Sequence, residues 1–121
     1  MSGIDFVADT NFLISLHEGA SFVKPFLDQS VAISVITEIE LLGWPKISEP
    51  EKKKLKALLN ECEVIDLRPE IKEVAIRLRQ KQSIKVPDAI IAATSVFLKV
   101  PLVTSDLGFK NIRDVEVILV V

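Results

Sequence analysis

Short apolar runs alternate with longer segments whose apolar residues recur at helical spacing, and this rhythm persists along the chain. Ile4 to Ala8 reads as a first strand, followed by a helix from about Thr10 to Glu18. Ser21 to Gln29 reads as a further short helix, with Pro25 near its start. Val31 to Val35 is a second strand leading into a helix that stops near Gly43-Trp44-Pro45, where glycine and proline give the stop signal. Ser48 ahead of Glu49-Pro50-Glu51 supplies a cap, early acids and an early proline, so a helix is expected from there to about Asn60. Glu63 to Leu67 is a third strand. Glu70 to Gln82 is a helix with Ile71, Val74 and Leu78 on one stripe, and Pro87 starts another that runs through Lys99. Leu102 to Thr104 and Val115 to Val121 complete the set as fourth and fifth strands.

Strands separated by helices imply parallel pairing through right-handed crossovers, hence a layered α/β fold. Runs this apolar on both faces suit a sheet covered on both sides. No repeat or linker divides the chain, so residues 1–121 are expected to form one domain around a mostly parallel central sheet of four to five strands.

Composition narrows the class. The 121 residues are 49% hydrophobic and 26% charged, with no low-complexity stretch. No apolar run reaches the roughly 18 to 20 residues of a membrane span, and Met-Ser-Gly-Ile-Asp lacks the basic start and apolar core of a secretory signal. A cytoplasmic location without membrane attachment is expected. The single Cys62 excludes an internal disulfide and an all-cysteine metal site. A net charge of −2 is not that of a general nucleic-acid binder, yet Arg77, Arg79, Lys81 and Lys85 crowd one stretch and Lys52, Lys53, Lys54 and Lys56 another. Either stretch is a phosphate-facing surface or a solvated helix face.

Four acids stand where apolar runs meet turns or helix starts. Asp9 ends the first strand, Asp106 follows the fourth, Asp88 opens the helix after Pro87, and Glu40 sits in the helix after the second strand. Ligands of open parallel sheets bind beyond the carboxyl ends of the strands, and oxygen donors gathered from several elements are what a hard divalent cation requires. Glu40 shares a helix face with Ile36 and Gly43, so it is expected to point inward and meet a cation or donors. Each acid has an ordinary structural use as well. Asp9 and Asp106 suit caps or turns, Asp88 complements a helix dipole, and Glu40 can be an exposed neighbour of Glu38. From the residues alone both readings stand.

The segments Asp9-Thr10-Asn11-Phe12-Leu13-Ile14 and Ile33-Ser34-Val35-Ile36-Thr37-Glu38-Ile39-Glu40-Leu41-Leu42-Gly43 resemble the opening half of a PIN domain. Pro87-Asp88-Ala89-Ile90-Ile91-Ala92-Ala93-Thr94 and Leu102-Val103-Thr104-Ser105-Asp106-Leu107-Gly108-Phe109 resemble its closing half. Order, spacing and length are similar to the VapC-type toxin ribonucleases of toxin–antitoxin pairs, over nearly the whole chain. The resemblance implies a three-layer α/β/α sandwich and RNA cleavage with Mg²⁺ or Mn²⁺. It casts Asp9, Glu40, Asp88 and Asp106 as catalytic acids, with Asp9, Asp88 and Asp106 as principal metal ligands and Glu40 orienting a water or binding a second ion. Thr104 and Asn11 would brace the carboxylates. Family members often carry a further acid two residues after the last one, where this chain has Gly108. A cognate antitoxin presenting an Arg to the carboxylates, and a homodimer, are further implications. Arg77, Arg79 and Lys85 are candidates to hold the RNA backbone.

Other readings turn on single residues. A haloacid-dehalogenase phosphatase would want a second Asp two residues after the first, where Asn11 stands; a receiver domain would want paired acids that Ile4-Asp5-Phe6-Val7 does not supply. A non-catalytic PIN-like module that binds RNA or protein is a third class, against which the retention of all four acids argues. His17 is the sole histidine, which disfavours a two-histidine ribonuclease mechanism, and Cys62 reads as a small core or edge residue. Trp44 either closes the core at a helix end or anchors a partner.

Overall fold

The computed structural model describes residues 3–120. Five parallel strands form one sheet in the order β3-β2-β1-β4-β5. They are β1 (Phe6–Ala8), β2 (Val31–Ser34), β3 (Glu63–Ile65), β4 (Leu102–Thr104) and β5 (Val117–Leu119). Five α-helices connect them: α1 (Thr10–Glu18), α2 (Val35–Leu42), α3 (Glu49–Asn60), α4 (Pro69–Lys81) and α5 (Val86–Leu98). Among the described residues no helix is long and apolar enough to cross a membrane.

Side chains alternate across the sheet and so build two cores. Val7, Ala32 and Leu102 point to one face, where they meet Ile71, Ala75 and Leu78 of α4 and Ala89, Ile91 and Ala92 of α5. Phe6, Ala8, Ile33 and Val103 point to the other, against Phe12 and Leu13 of α1, Leu41 of α2, and Leu55 and Leu59 of α3. Helices thus cover both faces, giving the expected α/β/α sandwich with every strand pair parallel. Each fully buried side chain of leucine or phenylalanine size contributes about 1.5–3 kcal/mol.

The helix ends follow their local chemistry. Gly19 takes the left-handed conformation (φ 70°) that stops α1, Ser34 caps α2, and Ser48 caps α3 through Glu51 N. The segment expected as a helix over Ser21 to Gln29 is instead a shorter 3₁₀ helix over Ser21–Phe26 with Pro25 inside it, a residue that can donate no backbone bond and so interrupts a regular α-helix. Strands are shorter than the apolar runs that announce them. Val115 to Val121 pairs only over Val117–Leu119, since β4 offers three residues to pair with, and Val121 lies outside the described residues.

The strand order places β2 on one side of β1 and β4 on the other, so the chain reverses direction across the sheet between β1 and β4. Ala8 pairs with Val103 at that seam. Phe6, Phe12 and Phe26 pack edge to face, with ring centroids 5.2–5.9 Å apart, and fix the start of α1 over β1.

Candidate active site

Beyond the carboxyl ends of β1 and β4, Asp9, Glu40, Asp88 and Asp106 line one pocket of about 200 Å³ together with Thr10, Asn11, Ile91 and Phe109. This is the edge where open α/β sheets bind ligands, at the point where strand order reverses. All four acids singled out in the sequence therefore meet.

Asp9 is only 2% exposed and is held from two sides. Its Oδ1 accepts from Phe12 N at 2.8 Å, capping α1, and its Oδ2 accepts from Thr104 Oγ1 at 2.5 Å. The cap and the site residue are one side chain. Thr104, itself fully buried, also accepts from Asp106 N at 2.9 Å, so one hydroxyl sets both acids. Asp106 Oδ1 in turn accepts from Gly108 N at 2.8 Å within an unanticipated 3₁₀ turn, Leu107–Phe109. A Cβ on Gly108 would stand 3.2 Å from Asp106 Oδ1, so glycine here lets the backbone close on the carboxylate. Asp88 lies in the first turn of α5, where the dipole favours a negative charge.

Glu40 corrects the helix-face argument. It is exposed, and Thr37 and Leu41 are the buried residues of α2. Its carboxylate borders the pocket rather than the interior, with Oε1 accepting from Thr10 Oγ1 at 2.6 Å. Thr10 is a contributor that the sequence did not flag; a hydroxyl directly after Asp9 was the available signal. Asn11 lines the pocket, but among the described residues no hydrogen bond joins its side chain to Asp9; Thr104 and Phe12 do that bracing.

The electrostatics show mutual repulsion. Burial pushes the Asp9 carboxyl above its ordinary 3.8, with the Asp106 and Asp88 charges adding, while the bonds from Thr104 and Phe12 pull the other way. Asp88 is raised by burial and then by Asp106 and Glu40, against a lowering by Lys85. Among the described residues the one ion pair is Lys81–Asp114, so no salt bridge neutralises the pocket. Of the three basic candidates, Lys85 stands near the acids. Arg79 donates to Ile84 O at 3.0 Å and lines a different groove with Leu67 and Val86, and Arg77 lies on the exposed side of α4.

Among the described residues, no group of three Asp, Glu, His or Cys side chains, these acids included, is arranged to hold a metal ion. The acids ring the pocket instead. Their chemistry fits a hard divalent cation: the donors are all carboxylate oxygens, they repel one another, and among the described residues no cation forms a salt bridge with them, Lys85 acting on Asp88 only through its nearby charge. His17 lies outside this pocket, and Cys62 is pushed up to about 11 by burial and Glu61, which leaves little thiolate at neutral pH.

Comparison with known proteins speaks to the family and the fold. The sequence profile described as PIN domain matches residues 6–115. A toxin–antitoxin complex from Klebsiella pneumoniae contains a chain 30% identical to this one, with a TM-score of 0.79, covering 94% of this chain and 96% of that one. VapBC2 from Rickettsia felis, bound to a DNA fragment from its promoter, aligns at 22% identity and a TM-score of 0.83 over 96% of this chain and 98% of its own. DNA-bound VapBC from Salmonella typhimurium aligns at 19% identity and a TM-score of 0.78 over 95% and 97%. The last two likenesses speak to fold. Among curated proteins, none matches.

Proposed function

This chain belongs to the PIN domain family, and we propose that it is a divalent-cation-dependent endoribonuclease, the toxin of a toxin–antitoxin pair. The observation that carries the reading is the meeting of Asp9, Glu40, Asp88 and Asp106 in one pocket at the switch point of the sheet. The RNA substrate rests on the resemblance of the four motifs to toxin ribonucleases. A partner antitoxin rests on relatives solved as toxin–antitoxin complexes. A homodimer is part of the same reading.

In this reading Asp9, Asp88 and Asp106 would hold Mg²⁺ or Mn²⁺, which would supply positive charge and Lewis acidity. The chain's own part is orientation. Thr104 and Phe12 hold Asp9 in one rotamer, and Thr104 sets the backbone that carries Asp106. Glu40, anchored through Oε1 by Thr10, keeps Oε2 to accept a proton from the attacking water. The water oxygen bonds to phosphorus as the P–O bond to the leaving oxygen breaks, and that oxygen takes up a proton from solvent. No nucleophilic side chain is needed.

The test is cleavage of RNA and single-stranded DNA in Mg²⁺, Mn²⁺ or EDTA by the wild type and Asp9→Asn. RNA should be cut only with a cation, and Asp9→Asn should lose more than the roughly 10–100-fold that removal of an outer partner costs. Full activity in EDTA or in the variant overturns the mechanism. Cleavage of DNA but not RNA keeps the chemistry and overturns the substrate.

A further inference from the structure

Next to the acidic pocket lies a second hollow of about 350 Å³, and Thr10 and Glu40 line both. This volume falls within the roughly 300–1,000 Å³ of small-ligand sites. Ile14, Leu41 and Leu55 make its lining apolar, and Trp44 contributes an indole that is 61% exposed. His17, Glu18 and Glu51 supply polar groups, and among the described residues no Lys or Arg lines it. Such a surface repels phosphate. It suits a flat, uncharged ring with hydrogen-bond donors at its edge, the chemistry of an unpaired nucleobase.

We propose that the hollow is a nucleobase subsite, in which an unpaired base of the RNA stacks on Trp44 while the adjoining phosphodiester lies over the acidic pocket. This rests on the ribonuclease reading and extends it to the choice of cleavage site. Stacking on an aromatic face tolerates any base, so selectivity falls to the polar edge. Carboxylates accept from exocyclic amino groups. Glu51 Oε1 already accepts from Ser48 Oγ at 3.0 Å, which leaves Glu18 as the more open acceptor. Bases bearing an amino group (cytosine, adenine, guanine) should therefore be preferred to uracil beside the cut.

Trp44 is the only tryptophan and there is no tyrosine, so red-edge fluorescence of the wild type reports this hollow alone. The probes are free cytidine, adenosine, guanosine and uridine, which have no phosphodiester to cut and no charge for the acids to repel. Saturable quenching by the amino-bearing nucleosides, weaker with uridine, is expected, and Glu18→Gln should narrow that difference. On RNA, Trp44→Ala should lower kcat/KM by about 5- to 140-fold, the range that loss of one stacked base implies, chiefly through KM. It should also spread the cleavage sites read by end sequencing. Trp44→Phe should restore most of both, and circular dichroism checks that these variants stay folded. No quenching by any nucleoside, with unchanged kcat/KM and cleavage sites in Trp44→Ala, overturns the subsite and leaves the hollow to a protein segment. If the wild type cuts no RNA while nucleosides still quench Trp44, the subsite stands and the ribonuclease reading falls.

Discussion

Thr104 does more for the site than its size suggests. Its hydroxyl donates to Asp9 and accepts from the Asp106 backbone, joining the ends of two adjacent strands through one oxygen. Valine has nearly the same shape and none of that capacity. Thr104→Val should leave the partly buried Asp106 N–H without its partner and free one oxygen of Asp9, costing about 1–3 kcal/mol in urea unfolding. The functional cost should be of another kind: a roughly 10–100-fold weaker response to Mn²⁺ in RNA cleavage, as expected when a group that orients a ligand is lost. Thr104→Ser keeps the hydroxyl and should keep most of the cation response. A valine variant with unchanged Mn²⁺ dependence would show that Asp9 needs no such support. Asp9 also explains why the sequence left two readings open. Its Oδ1 serves as the cap and its Oδ2 accepts from Thr104, so a ligand would have to take a remaining lone pair of an oxygen already in use.

At the scale of elements, α2 carries Glu40 on one side of its length and Trp44 just past its end, so its termination matters to both pockets. It ends at Gly43, whose φ of −87° is open to any residue. What excludes a side chain there is space, because a Cβ would stand 2.6 Å from the backbone oxygen of Ile39. Gly43→Ala must therefore move backbone. It should destabilise the fold by about 1–3 kcal/mol and shift the emission of Trp44, which fluorescence-monitored unfolding reads in one experiment. Unchanged emission and midpoint would mean that the end of α2 gives freely. Helix ends of this sort were legible in the chain. The α1 span Thr10–Glu18 follows from Asp9 before it and Gly19 after it, and the four acids fall where the apolar runs, helix spacing and turn residues place them. Other features were not. The eight residues of α2 give a helical stripe little redundancy, so spacing from Ile36 and Gly43 turns Glu40 inward where Thr37 is buried. Strand lengths depend on what a neighbour offers, as β4 shows by limiting β5. The Thr10–Glu40 bond joins residues 30 apart in the chain and exists only once α1 and α2 have packed.

For the whole molecule, gathering the acids at one edge has a thermodynamic consequence that can be measured without any substrate. Asp9 and Asp88 both hold their protons more tightly in the fold than at the ordinary carboxylate value of 3.8. Such groups favour the folded state most in acid, and their contribution is lost as pH rises from about 3.8 through the raised values. In the cation-free protein these two residues therefore subtract from stability at neutral pH. A divalent cation that binds only the folded, ionised site reverses this. At a concentration 100 times its Kd it adds about 2.7 kcal/mol, and the gain should shrink as protons compete for the same oxygens in acid. Thermal melts with Mn²⁺ and with EDTA should consequently diverge by several degrees at pH 7 and draw together toward pH 4. Asp88→Asn removes one of the mutually repelling charges, so in EDTA at pH 7 it should melt no lower than the wild type, and higher if repulsion outweighs any lost contact. The same variant should lose most of the Mn²⁺ increment. An increment equal at both pH values, or fully kept in Asp88→Asn, would place cation binding away from these carboxylates. A site that is a net cost to the fold until it is filled is what a function in these acids predicts, since structural caps alone would bring stability with no cation at all.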